Sequence, residues 1–449
     1  MAGGYPRPQF ETPLTSVEIC AGAGGQALGL HNAGFEHSAL VEWDANAVET
    51  LRTNSVKTFG WSPEKAGGLR DMDVRDFKEK EEFKALKKAA DAGRHIDLFA
   101  GGVPCPPFSL AGRQLGPDDE RDLFPDALEL IGLLRPKAVM LENVRGILEP
   151  PEVFIEYRRE ILEKLKSHGY SVPDIPAEAS PRMQSRAMHP VWRRLDANKF
   201  GVPQLRPRAI LVAFREDVAS FEEFRWPVQS AEEAESVFDV LREEMRERYE
   251  PYWNKRPLGP GSLTGKQAFE KWEEAARRAD ARKLKVAPTL VGGSRKHGGA
   301  DLGPTRAKRA WQVWGVNGEG LANDPAECVP ERDLFRDNGP MLTVRQAAAI
   351  QGFPAHWTFE GKKTTRYRQV GNAFPPPVAE AVGRAIAAML RPGEARAELL
   401  KPYEMDGDVV LRAQAAEAIP VTKDPDAQES LLNAAAGNNR RRDPVSALF

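Results

Sequence analysis

The sequence predicts an α/β protein: a doubly wound, mostly parallel sheet with a second, smaller domain set into it. Two observations predict this. Between residues 16 and 215, short apolar runs (17–19, 39–42, 97–100, 138–141 and 209–214) alternate with amphipathic stretches such as 122–134 and 153–167. Strand–helix alternation of this kind builds a parallel sheet with helices on both faces. The rhythm then breaks over 216–340 and returns at Met341, with a helical pattern over 378–390. The chain therefore divides into a leader (1–15), a core (16–215), an insert (216–340), a return segment (341–391) and a C-terminal extension (392–449). The leader reads as loose, and the extension is expected to lose order beyond about Thr422.

Composition narrows the class. With 449 residues, 41% hydrophobic and 29% charged, the chain can bury a sizeable core. Its net charge of −2 announces no nucleic acid, so any polyanion contact must come from local patches. Cys20, Cys105 and Cys328 are too few and too scattered for a disulfide framework or a zinc site, which suits a reducing cytosol. No signal pattern opens the sequence, and no apolar run approaches the ~20 residues of a membrane span. The expectation is a cytoplasmic monomer with no metal and no membrane partner.

The first strand runs into a glycine turn, Glu18-Ile19-Cys20-Ala21-Gly22-Ala23-Gly24-Gly25, and then a helix. Glycines let the backbone approach a ligand closely, although such a turn serves many α/β cofactors. Glu42 ends the second strand, where an acidic side chain can bond ribose hydroxyls. Trp43 beside it can stack on a purine. Asp73-Val74 offers a third acidic strand end, suited to an adenine amino group. An adenosine derivative is implied. Neither a full G-x-G-x-x-G nor a Walker lysine motif is present, which disfavours NAD and ATP and favours S-adenosylmethionine, a donor without phosphate.

The apolar run 96–100 leads into Gly101-Gly102-Val103-Pro104-Cys105-Pro106-Pro107-Phe108-Ser109. Glycines and prolines end a strand sharply and bar a regular helix through Cys105. The thiol is thus carried on a stiff loop at a strand's C-terminal edge, where open α/β sheets place their chemistry. Glu142-Asn143-Val144 follows the strand 138–141. The stretch 182–208 holds seven basic residues and one acidic, and ends in Gln204-Leu205-Arg206-Pro207-Arg208. Within the insert, 216–250 is acidic (net −8) and reads as a solvated helix face, whereas 282–311 is basic (net +7), with glycines, Trp311 and Trp314 in or just after it. Clustered Lys and Arg among glycine-rich loops is a phosphate-contacting footprint. Arg295, Lys296, Arg306 and Arg309 are its candidates.

These motifs, in this order, resemble the DNA (cytosine-5)-methyltransferase family over about 16–215 and 340–391. Arg345 in Leu342-Thr343-Val344-Arg345 and the stretch Tyr367-Arg368-Gln369-Val370-Gly371-Asn372-Ala373 complete the set. The resemblance implies a Rossmann-like methyltransferase core with the insert as target-recognition domain, reading duplex DNA through the major groove. It implies a donor site of Cys20, Ala21, Gly22, Gly24, Gly25, Glu42, Trp43, Asp73, Val74 and Pro104, with Asn372 on the methionine part. It implies Cys105 as nucleophile, Glu142 as the group that bonds ring nitrogen 3, and Gln204, Arg206 and Arg208 as the third catalytic motif, the two arginines holding thiolate and substrate. The target cytosine must swing out of the helix to be reached. A restriction–modification setting with a companion nuclease is also implied. The family's usual Asp-Leu-Phe reads Glu18-Ile19-Cys20 here, which shifts adenine stacking toward Trp43. RNA cytosine methyltransferases share this core, but the long Gly/Trp/Arg-rich insert favours duplex DNA. A catalytically silent DNA-binding regulator is opposed by the intact Cys105, Glu142 and Arg208.

Overall fold

The computed structural model describes residues 5–104, 122–282, 284–292, 301–393 and 396–407. Seven strands form the main sheet: β1 (Leu14–Ile19), β2 (Phe35–Val41), β3 (Leu98–Gly102), β4 (Ala138–Val144), β5 (Tyr170–Ser171), β6 (Trp192–Asp196) and β7 (Pro207–Arg215). Their order is β2-β1-β3-β4-β7-β5, with β6 also paired to β7. The half β2-β1-β3-β4 is parallel, while β7 runs antiparallel to β4, β5 and β6. All five apolar runs are strands, but the run at 209–214 heads the opposite way. An apolar run reports burial on both faces and carries no direction.

Each sheet face buries its own core. One face packs Val17, Ile19, Phe99, Val139 and Leu141 against the helices Phe124–Leu134 and Ile155–Ser167. The other packs Leu14, Leu98, Ala100, Met140 and Val212 against the helix Pro376–Leu390. That helix also crosses the helix Gly25–Asn32 at very short range. A Cβ at Gly29 would meet the Pro376 carbonyl oxygen at 2.4 Å and Ala379 Cβ at 2.5 Å, and one at Gly383 would meet Ala33 Cβ at 2.8 Å. Gly29→Ala should therefore force the helices apart and lower stability by about 1–3 kcal/mol, the usual cost of overpacking. Urea unfolding followed by circular dichroism measures it, and an unchanged midpoint would refute the crossing.

The insert packs into an apolar cluster that it shares with the return segment and the glycine-turn region. Helices Val237–Tyr249 and Gly265–Ala281 each begin with a reciprocal capping box, Ser236 with Asp239 and Thr264 with Gln267. Trp272, Trp311 and Trp314 are buried in this cluster, so the tryptophans beside the basic stretch are core residues rather than stacking platforms. The same cluster runs on through Leu342, Val344, Phe353 and Trp357 to Ala23 and Leu28 of the glycine-turn region. Arg295 and Lys296 lie outside the described residues. Arg306 and Arg309 are exposed on the helix Thr305–Val313.

Both ends of the described chain are tied to the core, and the expectation for residues beyond Thr422 lies outside the described residues. Arg384 donates to the Pro6 carbonyl at 2.9 Å, and Arg7 to that of His31 at 2.9 Å. Past the helix at 376–390, β9 (Tyr403–Met405) pairs antiparallel with β8 (Pro227–Ser230), and Asp406 holds Arg193 at 2.6 Å. Among the described residues, no helix is long and apolar enough to cross a membrane, and no group of His, Cys, Asp and Glu side chains could hold a metal ion.

Candidate active site

Two groups of residues meet at the C-terminal ends of β1–β4. The first surrounds the glycine turn. Cys20, at φ 50°, and Gly22, at φ 55°, take left-handed backbone conformations. The turn is held from the next strand: Glu42 accepts the Gly22 amide at 2.7 Å with one oxygen and the Asp44 amide at 2.8 Å with the other. Asp44 in turn caps the helix Ala45–Lys57 through the Asn46 and Ala47 amides. The strand end and the helix start thus fix the carboxylate. Between them Trp43 is 74% exposed, far more than any other large apolar side chain described.

The back of the turn is closed by a residue that the motifs did not single out. The Trp357 indole donates to the Ala23 carbonyl at 3.2 Å, and a Cβ on Gly24 would come within 2.8 Å of its ring. A Cβ on Gly25 would strike the Phe374 carbonyl oxygen at 2.3 Å. In front, a Cβ on Gly22 would meet nothing within 4 Å. The glycine turn is therefore packed behind and open before.

Charge in this region is acidic. Burial holds the Cys20 thiol far above its usual range, and the charges of Glu42, Asp73, Glu18 and Asp126 push it the same way. Glu18 is fully buried; burial first, and then Glu42, raise its carboxyl well above the usual range. Neither Glu18 oxygen, nor the buried Gln26 amide in the first helical turn, has a partner at hydrogen-bond geometry among the described residues. Such a field suits a cationic ligand.

Asp73 caps the 3₁₀ turn Val74–Glu79 and accepts the Arg75 Nε at 2.9 Å, and Val74 is buried in the core beneath. The strand-end pattern located them correctly beside Glu42, whose carbonyl accepts the Met72 amide at 2.7 Å. It could not reveal the local arginine that occupies the carboxylate.

The second group lies one strand over. Gly102 on β3 is opposite Glu142 on β4. A Cβ at Gly102 would sit 3.3 Å from Glu142 Oε2, so this glycine leaves the carboxylate room. The other oxygen, Oε1, is 2.6 Å from Arg208 Nε, both side chains nearly buried. Burial raises the Glu142 carboxyl above the usual carboxylate range, with Arg208 and then Arg206 opposing. Asn143 donates to the Val103 carbonyl at 2.9 Å and so pins the chain just before the exposed Pro104. Cys105 itself lies outside the described residues.

Gln204 and Arg206 do not face this carboxylate. Arg206 is 2% exposed and its guanidinium is occupied by three carbonyls: Leu290 at 2.7 Å, Gly371 at 2.7 Å and Ala373 at 2.9 Å. Gln204 accepts the Leu290 amide at 2.8 Å and donates to Gln351 at 2.5 Å. Arg206 thus clamps the insert to the return segment; the Cys105 thiol it is expected to hold lies outside the described residues. Asn372 is exposed between two of the clamped carbonyls. Arg345 is largely exposed, 3.5 Å from Glu244.

A family model described as C-5 cytosine-specific DNA methylase matches residues 14–388. The chain belongs to that family. C-5 methylation of cytosine in DNA is accordingly its reaction class. Among relatives of this methylase, the Type II methyltransferase M.NaeI of Lentzea aerocolonigenes is 45% identical over 85% of this chain and 77% of its own length. The Type II methyltransferase M.NgoMIV of Neisseria gonorrhoeae is 41% identical over 84% of this chain and 98% of its own. M.Eco47II of Escherichia coli, also a Type II methyltransferase, is 30% identical over 84% and 79%.

Proposed function

We propose that this methylase transfers the methyl group of S-adenosylmethionine to carbon 5 of a flipped-out cytosine in a specific duplex sequence, with Cys105 as the covalent nucleophile. The observation that carries the reading is the Glu142–Arg208 pair opposite Gly102, beside a glycine turn in an acidic field. The donor fits the residues present. Its cationic sulfonium and ammonium suit the field of Glu42, Asp73 and Asp126. Glu42 would take the ribose, Trp43 the adenine face, the open side of Gly22 the backbone approach, and Asn372 the methionine part. When bound, the donor supplies an electrophilic methyl group.

The protein's own residues do the rest. The Cys105 thiolate adds to carbon 6 and makes carbon 5 nucleophilic. Cysteine suits this because its thiolate attacks well even when only a few per cent ionised. The buried Glu142 carboxyl, held toward its protonated form, bonds ring nitrogen 3 and offsets the charge that develops as sulfur adds. Arg208 fixes the orientation of that carboxyl. Loss of the carbon-5 proton then releases the sulfur. Base flipping costs a few kcal/mol, which contacts from the insert and from 182–208 offset. Protection of DNA from a companion restriction endonuclease is the setting that fits Type II relatives.

Incubation with tritiated donor and duplex DNA, followed by bisulfite sequencing, tests the reading. Label at carbon 5 of cytosine in one sequence context supports it. A folded protein that binds the donor yet never labels cytosine refutes it. For the stacking role of Trp43, Trp43→Ala should raise the donor KM about three- to tenfold, the equivalent of a 0.5–1.5 kcal/mol aromatic contact, with kcat nearly unchanged. An unaltered KM would move adenine elsewhere.

A further inference from the structure

We infer that the insert forms one wall of the methyl-donor site, and that Arg206 and Gly292 are positioning residues for Asn372. The inference rests on the reading of Asn372 as a donor contact. It starts from two glycines that touch across the boundary between insert and return segment. A Cβ on Gly371 would lie 2.6 Å from the Gly292 nitrogen and 2.6 Å from the Val291 carbonyl carbon. A Cβ on Gly292 would lie 2.1 Å from Asn372 Oδ1 and 3.2 Å from the Arg368 carbonyl oxygen. Only residues without a side chain let the two backbones close to this distance.

Arg206 locks the contact. It donates to the carbonyls on both sides of Asn372, Gly371 and Ala373, and to Leu290, two residues before Gly292. Gln204 adds a parallel tie: it accepts the Leu290 amide and donates to Gln351, which donates to Ala373 at 2.6 Å. The Leu205 amide donates to the Ala287 carbonyl, and the Ala287 amide to the Pro203 carbonyl, both at 2.8 Å. A planar guanidinium spans three acceptors in fixed directions, which a lysine ammonium cannot reproduce. These bonds tie 287–292 to the residues on both sides of Asn372, so a displacement of 287–292 carries Asn372 with it. Donor affinity and DNA affinity are then linked through one rigid element, and the linkage is reciprocal.

The experiment titrates the full chain with S-adenosylhomocysteine, the unreactive product, by calorimetry, with and without a duplex that the wild type methylates. The variants are Arg206→Lys and Gly292→Ala, with Trp43→Ala as a control. In the wild type, DNA should shift product affinity by about fivefold or more, within the usual range of coupling. Both seam variants should bind about tenfold more weakly and lose most of that DNA dependence. Trp43→Ala should weaken binding while keeping it. Unchanged affinity in folded Gly292→Ala overturns the inference, as does weakened binding with the DNA dependence intact. If Arg206→Lys does not fold, Gly292→Ala, at a partly exposed position, decides. A wild type that binds no product removes the donor-site reading itself, an outcome distinct from either.

Discussion

Cys105→Ala should reduce methyl transfer by more than about 10⁴-fold, to background, as expected when a covalent nucleophile is removed. Carbon 5 of cytosine is too weak a nucleophile to attack a sulfonium methyl unaided. In the proposed reaction the sulfur that adds at carbon 6 supplies the missing electron density, and no other side chain described near Pro104 offers a thiol of ordinary reactivity. Cys20 is no substitute, because burial above all, and then the neighbouring acidic groups, suppress its ionisation. The substitution should leave folding and product binding intact, since Gly101 and Gly102 on β3 and the Asn143–Val103 bond fix the strand up to the loop. Duplex DNA containing 5-fluorocytosine gives the decisive readout. Fluorine blocks the final proton removal, so the wild type should stay bound through denaturing electrophoresis. A complex that survives in Cys105→Ala would take the nucleophile's role from this residue.

Glu142→Gln should lower kcat by about 10²–10⁴, the range of general acid–base contributions. The amide keeps the shape and can donate one hydrogen bond, but cannot share a proton with ring nitrogen 3. The pH profile adds a signature. Burial sets the Glu142 pKa above its ordinary value, so its protonated form persists to higher pH than in a free carboxylate. The protonated fraction, and the rate that depends on it, is complete at low pH and is lost as pH rises through the raised pKa. Thiolate formation works in the other direction, because Cys105 must ionise, with an ordinary pKa of about 8.5. A bell-shaped profile should result. Its descending limb should vanish in Glu142→Gln while the ascending limb stays. A variant with wild-type kcat would show that the carboxyl is a structural partner of Arg208 alone.

Much of the fold and site was legible in the sequence because it is written in local terms. Apolar runs gave the strands, and turn-forming glycines gave Cys20 through Gly25 their backbone path. Glu42 and Glu142 stand out because acidic groups end buried strands in both places. The rest depends on partners distant in sequence. Arg206 and Arg208 differ by two residues, yet one reaches Leu290 and Gly371 and the other Glu142. Arg206 precedes β7 and Arg208 lies within it, and no spacing rule encodes their different partners. Trp357 lies more than 300 residues beyond the turn it closes. The direction of β7 is set by its partners β4 and β6. The leader looks loose by composition because its docking partners, Arg384 and Arg391, lie near the other end of the described chain.

The glycine-lined crossing of helices Gly25–Asn32 and Pro376–Leu390 has a consequence for biosynthesis. The two segments leave the ribosome some 350 residues apart, and closing so long a loop precedes any reward from the contact. Until the later helix emerges, Leu14, Leu98 and Met140 present an oily surface on a half-covered sheet. The nascent chain is then at its most aggregation-prone, so slower translation or chaperone shortage should lower the yield of this protein more than that of one whose first helix finds its neighbour early.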